Sequence, residues 1–162
     1  MRITRSAAAA AAAAATLLLT LTACGPQAPE RDEETGEITE ATEADVFSLQ
    51  VGDCLNSAKL AEEVETVPTV PCAEAHDTEI YAATVLPEGD FPGDEEILVA
   101  ADEYCLPAFE TFIGLPYDSS AIYYQPLTPT QAGWETADDR EILCMAVDEA
   151  GGLTATLEGA NR

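Results

Sequence analysis

The chain has 162 residues, enough for one modest domain, and 31 acidic residues against six basic ones give it a formal net charge of −25 at pH 7. Such a chain offers no basic surface to phosphates, which argues against nucleic acid as a partner. An acidic surface that binds cations is an alternative, but the sequence contains no calcium loop of the Asp-x-Asp-x-Asp-Gly type. We therefore predict a solvated acidic face, no metal site and no cofactor.

Residues 1–23 have the layout of a secretory signal peptide, with two arginines near the start, a long uncharged stretch and small residues before Cys24. The run Leu21-Thr22-Ala23-Cys24 resembles the lipobox of bacterial lipoproteins. The resemblance implies that the Cys24 thiol receives diacylglycerol, that the signal is cut just before it, and that a further acyl chain such as palmitate follows. We therefore expect a lipoprotein held through Cys24 at the outer, extracytoplasmic face of the cell membrane. An uncleaved transmembrane helix and ordinary secretion with a free thiol are the alternatives.

The mature chain would keep 139 of the 162 residues and, because two arginines leave with the signal, a net charge of about −27. Its first stretch, residues 24–45, is rich in Pro, Glu and Thr and shows no apolar periodicity. This composition predicts a lipidated, acidic, disordered tether that is extended by its own charge. The folded domain is predicted to span residues 46–162.

Four cysteines besides Cys24 form an even set in an exported chain, which is the usual setting for disulfide bonds. Three pairings are possible. We favour Cys54–Cys72 with Cys105–Cys144, because each bond would join neighbouring elements. A zinc site is the rival interpretation, but the sequence has no Cys-x-x-Cys pair and a single histidine.

The strongest helix signal lies in residues 94–113. Acidic residues fill the predicted first turn, where the helix dipole favours them, and Gly114 stands where a C-terminal cap belongs. Pro107 is expected to kink this helix or to begin a new one. The apolar stripe is predicted to contain Ile97, Ala101, Cys105, Ala108 and Phe112.

Alternating or β-branched runs predict the strands of an antiparallel sheet. A short helical turn after Thr128-Pro129 is expected to end near Trp134. The predicted fold class is α+β, a small disulfide-stapled domain with one main helix packed on the sheet. The predicted strands are residues 46–55, 78–86, 121–127, 140–147 and 153–157, the last two joined by a hairpin turn at 149–152.

His76 is the single histidine of the chain and is followed by Asp77, a pair that suggests nucleophilic or hydrolytic chemistry. Adjacent residues on a strand point to opposite faces, so Asp77 is poorly placed to orient His76. A hydrogen-bonded structural histidine is the interpretation we favour.

Trp134 and Arg140 are expected to stack, either as a ligand platform or as a contact that seals the surface. Asp53 is interpreted as the cap of the turn that Gly52 opens, in preference to an acid catalyst. We assign no catalytic residue.

Taken together, these motifs resemble the actinobacterial septum-formation domain family over residues 51–159. The family pattern has a Gly-Asp-Cys, a Val-Pro-Cys followed by a histidine and a glutamate, a helix with an internal cysteine, a late tryptophan, and an arginine shortly before a last cysteine. Ala75 departs from this pattern, where the family tends to have proline, and Ile80 replaces valine. The matching residues are Gly52-Asp53-Cys54, Val70-Pro71-Cys72, His76, Glu79, Cys105, Trp134, Arg140 and Cys144.

The resemblance implies a membrane-attached, extracytoplasmic module associated with septum formation and cell division, without an established biochemical activity. It makes His76 and Glu79 the positions to test for a ligand or partner site, beside Trp134 and Arg140. The leading hypothesis is a noncatalytic lipoprotein binding module with division or envelope proteins as partners. A small envelope hydrolase that uses His76 and an acidic cation-binding surface lipoprotein are the alternatives.

Overall fold

The structure is a computed structural model that describes residues 27–57 and 64–162. The signal peptide and the lipidation residue Cys24 lie outside the described residues. Six strands and two α-helices form the fold, with short 3-10 turns at Val46–Ser48 and Tyr117–Ser119. They are β1 (Thr42–Asp45), β2 (Cys54–Leu55), β3 (Thr66–Val70), β4 (Thr78–Val85), α1 (Asp94–Ile113), β5 (Tyr123–Leu127), α2 (Gln131–Thr136) and β6 (Glu141–Val147).

All strand pairs are antiparallel, in the spatial order β1-β3-β2-β4-β6-β5. β4 and β6 form the longest ladder, and residues 142–146 of β6 are buried on both faces. This explains the continuous apolar run of β6, since both of its faces need partners. The sheet is curled, so that its two edges approach each other. One small cavity is lined both by Val46, which follows the edge strand β1, and by Leu127 of the other edge strand, β5.

Helix α1 covers one face of the sheet and confirms the predicted α+β class with one main helix. It begins and ends where the sequence pattern predicted, and Gly114 caps it with a left-handed φ of 86°. The helix does not restart at Pro107, which lies on its exposed side, where water can hydrate the carbonyl left unpaired. Its buried residues recur every four positions and include two that were not predicted: Ile97, Ala101, Cys105, Phe109 and Ile113.

Both favoured disulfide bonds are present, which excludes the zinc interpretation of these four cysteines. Cys54–Cys72 joins β2 to the loop after β3, with 5.2 Å between the Cα atoms. Cys105–Cys144 joins α1 to β6, with a Cα separation of 5.6 Å. The second bond fixes the helix to β6, the strand between β4 and the edge strand β5.

Two predicted strands are wrong. Of residues 46–55, only the last two are a strand, β2; residues 46–53 form a 3-10 turn and a loop, because the Asp45 carboxylate accepts the Phe47 N–H and turns the chain. Residues 153–157 do not return along β6; Leu153 instead forms an isolated antiparallel bridge with His76. We call residues 153–162 the C-terminal clasp.

The predicted tether also needs correction, because its described part, residues 27–45, packs on the domain. We call these residues the N-terminal strap. The strap contains β1, which pairs with β3, and it buries Ile38 and Ala44. The folded unit therefore begins before residue 46, since strand pairing with a distant segment outweighs the acidic composition. No helix within the described residues is both long enough and apolar enough to cross a membrane.

Candidate functional site

The four candidate binding residues fall into two pairs at opposite ends of the central ladder. His76 and Glu79 lie where β4 begins, whereas Arg140 immediately precedes β6 and Trp134 lies on α2. Glu79 pairs with Ala146, near the end of β6, and the last residue of β4 pairs with the first residue of β6. The antiparallel register therefore separates two pairs that sequence reasoning had treated as one set.

His76 is fully buried, and its backbone pairs with the C-terminal clasp. Its backbone N–H donates to the Leu153 carbonyl at 3.0 Å, and its carbonyl accepts the Leu153 N–H at 2.9 Å. Ring atom Nδ1 lies 2.8 Å from the Glu74 carbonyl oxygen, while Nε2 has no hydrogen-bond partner among the described residues. No part of the imidazole faces solvent, which matches a structural histidine.

Glu79 is buried as well, and its carboxylate is used by the same clasp. It accepts the Leu157 N–H at 2.7 Å and the Thr156 hydroxyl at 2.8 and 3.0 Å. A buried carboxylate needs such donors to replace water. The two motif residues are thus bound by one segment of the chain itself.

The Asp77 carboxylate, next to His76 in the sequence, accepts hydrogen bonds from two groups of the chain. Its Oδ1 accepts the Ser57 N–H at 2.7 Å and the Thr78 hydroxyl at 2.6 Å. Its backbone carbonyl accepts the Asp148 N–H at 2.8 Å. These contacts tie β4 to neighbouring loops, as expected for a carboxylate that is 8% exposed.

Asp53 has two roles, of which one was predicted. Its carboxylate accepts the Gln50 N–H at 2.8 Å and so caps the turn at Gly52, as expected. The unpredicted role is a bidentate ion pair with Arg31 of the N-terminal strap, with N–O distances of 2.5 and 2.8 Å. The hydrogen bond to Asp53 raises the pKa of Arg31.

Trp134 and Arg140 form the predicted stack at the other end of the ladder. The guanidinium carbon of Arg140 lies 3.8 Å from the centre of the indole ring. The indole N–H donates to the Gly89 carbonyl at 2.9 Å, and Phe91 meets the ring edge-on. Arg140 also donates to the Trp134 carbonyl at 2.9 Å and pairs with Asp138 at 3.1 Å. The stack is therefore held in place by contacts within the protein itself.

Unlike His76 and Glu79, this pair borders open space. A cleft of about 790 Å³ lies beside the stack, between α2 and the loop before α1. A second cavity of about 310 Å³ lies along that loop and shares Gly89, Asp90 and Trp134 with the first. The cleft has an aromatic and cationic floor made by Phe91, Trp134 and Arg140, and three exposed carboxylates stand on its rim: Asp90, Glu135 and Asp138.

The electrostatics of the cleft favour cationic groups. The charge of Arg140 is partly neutralised by Asp138, whose side chain is 75% exposed, and by backbone carbonyls. Neither Asp90 nor Glu135 takes part in any ion pair between described residues. The rim was not predicted, although its acids lie within a few residues of Trp134 or Phe91. Within residues 27–57 and 64–162, no three His, Cys, Asp or Glu side chains come together as metal ligands do.

Comparison with known families gives one match: a family model described as septum formation covers residues 51–161. This match contains both ends of the ladder but starts after the N-terminal strap. Neither the curated proteins nor the solved structures contain a match to the chain.

Proposed function

The chain belongs to the septum-formation family, and from that premise we propose that it is a lipid-anchored, extracytoplasmic, noncatalytic binding module that acts in septum formation or envelope assembly. We further propose that the cleft beside Trp134 and Arg140 is its binding site. The family match supports the role in division, and the lipobox-like run before Cys24 supports the anchor.

One observation carries the choice of site. Trp134 and Arg140 line an open cleft, with Trp134 itself 4% exposed, whereas His76 and Glu79 lie against the chain's own clasp. Tryptophan and arginine are enriched where proteins bind one another, because each combines a large contact area with a polar group. A preassembled stack also lowers the entropy that binding must overcome.

The rim indicates the chemistry of the partner. Three exposed carboxylates outnumber the one cation of the floor, Arg140, and the aromatic rings supply apolar surface, which together favour a protein segment with lysine or arginine beside an apolar residue. The net charge of the chain would draw such a segment in by long-range attraction and would repel nucleic acid and polyanionic wall polymers. The partner proposed is therefore a basic segment of a division or envelope protein.

The hydrolase alternative finds little support in this geometry. His76 is 0% exposed, and the four domain cysteines are bound in disulfides. A general base must come within hydrogen-bond reach of a substrate proton, which a closed imidazole cannot do without opening the clasp. The alternative of an acidic cation-binding surface lipoprotein predicts only weak, salt-sensitive binding of cations at scattered carboxylates.

The decisive experiment is the position of the full-length protein in dividing cells of its native host, seen with an export-competent label. We expect enrichment at septa for the wild type and loss of that enrichment for the double variant Glu135→Gln with Asp138→Asn. The matched control is Glu103→Gln with Glu110→Gln, which removes the same charge from the exposed side of α1.

Two results would overturn parts of the proposal. Even labelling of the cell perimeter by the wild type would contradict a septal role. Septal enrichment that survives in the rim variant would contradict the cleft as the binding site while leaving the septal role in place.

A further inference from the structure

The N-terminal strap is built as a small hairpin followed by a strand. The Thr39 N–H donates to the Glu30 carbonyl at 3.0 Å, and the Asp32 N–H donates to the Glu37 carbonyl at 2.8 Å. Arg31 and Ile38 form the bridge between the two arms, and Ile38 is 5% exposed. The hairpin therefore has an inner side that packs on the domain.

Both ends of the strap are fixed at the same place. Gln27 forms a parallel bridge with Ala44, and its carbonyl accepts the Asp45 N–H at 3.1 Å. Ala44 is completely buried, and β1 completes the sheet edge along β3. The chain thus meets the domain at Gln27 and loops back to the same edge of the sheet.

Arg31 locks the strap to the family-motif residue Asp53. Its guanidinium donates to both carboxylate oxygens of Asp53, to the Ser48 carbonyl at 3.0 Å and to the Gly36 carbonyl at 3.1 Å. Asp53 is 3% exposed, so the loss of this cation would leave a buried charge without its counterion. The family match begins at residue 51, so this chain supplies the counterion from outside the matched region.

From these contacts we propose that the strap is a latch that holds the domain on a short leash at the membrane. The inference rests on the proposed lipid anchor at Cys24. Consecutive Cα atoms are 3.8 Å apart, so three steps place Gln27 within about 11 Å of an anchored Cys24, whatever path the chain takes. With the strap released, a flexible chain of 22 residues would reach residue 46 at a typical distance of about 25 Å.

Electrostatic repulsion between the strap and an anionic membrane would act against the latch. Asp32, Glu33, Glu34 and Glu37 are exposed on the hairpin, close in sequence to the anchor. A leash of about 11 Å is comparable to the Debye length at physiological ionic strength, so anionic headgroups would repel these carboxylates. The latched domain presents one fixed edge to the membrane, whereas a released domain would turn freely.

The test uses the full-length lipoprotein in phosphatidylcholine vesicles, with a fluorophore on a genetically encoded azido residue at the exposed position Ser119 and acceptors in the headgroups. Energy transfer reports the height of the domain, and hydrogen exchange at Asp32 and Thr39 reports the strap. The variants are Arg31→Glu, a 20-residue Gly/Ser insertion after Gly25 (a long leash by construction, about 25 Å) and the matched control Arg162→Ala. Arg162 also forms an ion pair, with Asp148, but lies in the clasp.

We expect the wild type and Arg162→Ala to show the same high transfer. Arg31→Glu should approach the low transfer of the insertion and raise strap exchange at least tenfold. Wild-type transfer as low as that of the insertion would overturn the leash while leaving the anchor intact. Wild-type protein that does not bind vesicles would overturn the anchor, and with it both the leash and the proposed localisation. Strap exchange unchanged by Arg31→Glu would overturn the latch.

Discussion

The two ends of the β4–β6 ladder use motif residues in opposite ways. At the start of β4, His76 and Glu79 are buried, and the His76 backbone and the Glu79 carboxylate are bound by the C-terminal clasp. At the start of β6, the stack of Trp134 and Arg140 forms one wall of an open, acid-rimmed cleft. The difference teaches that residues of one family motif can close off the chain at one end of a ladder and border open space at the other.

Glu79→Ala should have the largest effect on stability. It leaves the Leu157 N–H and the Thr156 hydroxyl without their acceptor and opens the clasp. We expect the free energy of unfolding to fall by about 3 kcal/mol, measured by urea denaturation with the disulfides intact. The exposed neighbour Glu158→Ala should change it by less than about 0.5 kcal/mol. A similarly small loss for Glu79→Ala would mean that this end is not structural.

Tyr81, in the core between the two ends, should make the free energy of unfolding fall at alkaline pH. Burial, more than the nearby Tyr124 and Tyr117, raises the pKa of Tyr81, whose hydroxyl donates to the Cys105 carbonyl at 2.9 Å. Above pH 10 the unfolded chain loses this proton while the folded chain keeps it, so stability should fall by up to about 1.4 kcal/mol per pH unit from this group.

Tyr81→Phe tests this directly. At pH 7 the variant should be less stable by about 1 kcal/mol, because the hydrogen bond is lost. Near pH 11 its stability should approach that of the wild type, because phenylalanine does not titrate. Parallel stability curves between pH 9 and about 11 would contradict the assignment.

The separation of the two ends can be tested by double-mutant cycles. Thr156→Val and Glu79→Ala remove the two partners of one side-chain hydrogen-bond pair, so their effects on the free energy of unfolding should be coupled by about 1 kcal/mol. Glu79→Ala and Arg140→Gln act at opposite ends and should be additive within about 0.5 kcal/mol. Equal coupling in both cycles would remove the distinction between the ends.

Much of the fold follows from local signals. Helix α1 combines first-turn acids, an apolar stripe and the capping Gly114, all of which lie within the helix or beside it. The cysteine pairings follow from the order of the elements that they join. The helix bounds follow from nearby residues and the pairings from the order of the elements, and both predictions are confirmed, whereas Ala108 and Phe112 of the predicted stripe are only partly buried.

The strap and the clasp could not be predicted because their stability comes from distant partners. β1 is held by β3, Arg31 by Asp53, and Leu157 by Glu79, 78 residues away. Acidic composition and weak periodicity hide such pairings. The candidate site shows the same limit, since the sequence supplied His76, Glu79, Trp134 and Arg140 but not the antiparallel register that divides them.

The smallest expected effect concerns the cleft and tests the function of the open end. Trp134 is the single tryptophan of the chain, so its fluorescence reports the cleft directly. A short lysine-rich peptide with one leucine should change this fluorescence on titration at low salt. Replacing Glu135 and Asp138 with their amides should weaken binding about two- to fivefold, since we expect each charge to contribute roughly 0.2–0.5 kcal/mol, the lower half of the range for exposed ion pairs.

The α1 variant Glu103→Gln with Glu110→Gln is the matched control. It removes two negative charges, as the rim variant does, but both positions lie outside the cleft lining. If the two double variants weaken binding to the same extent, the attraction is a property of the whole acidic surface, and the cleft has no special role. If only the rim variant weakens it, charge acts locally around the stack. The open end then recognises a ligand, as its contrast with the closed end implies.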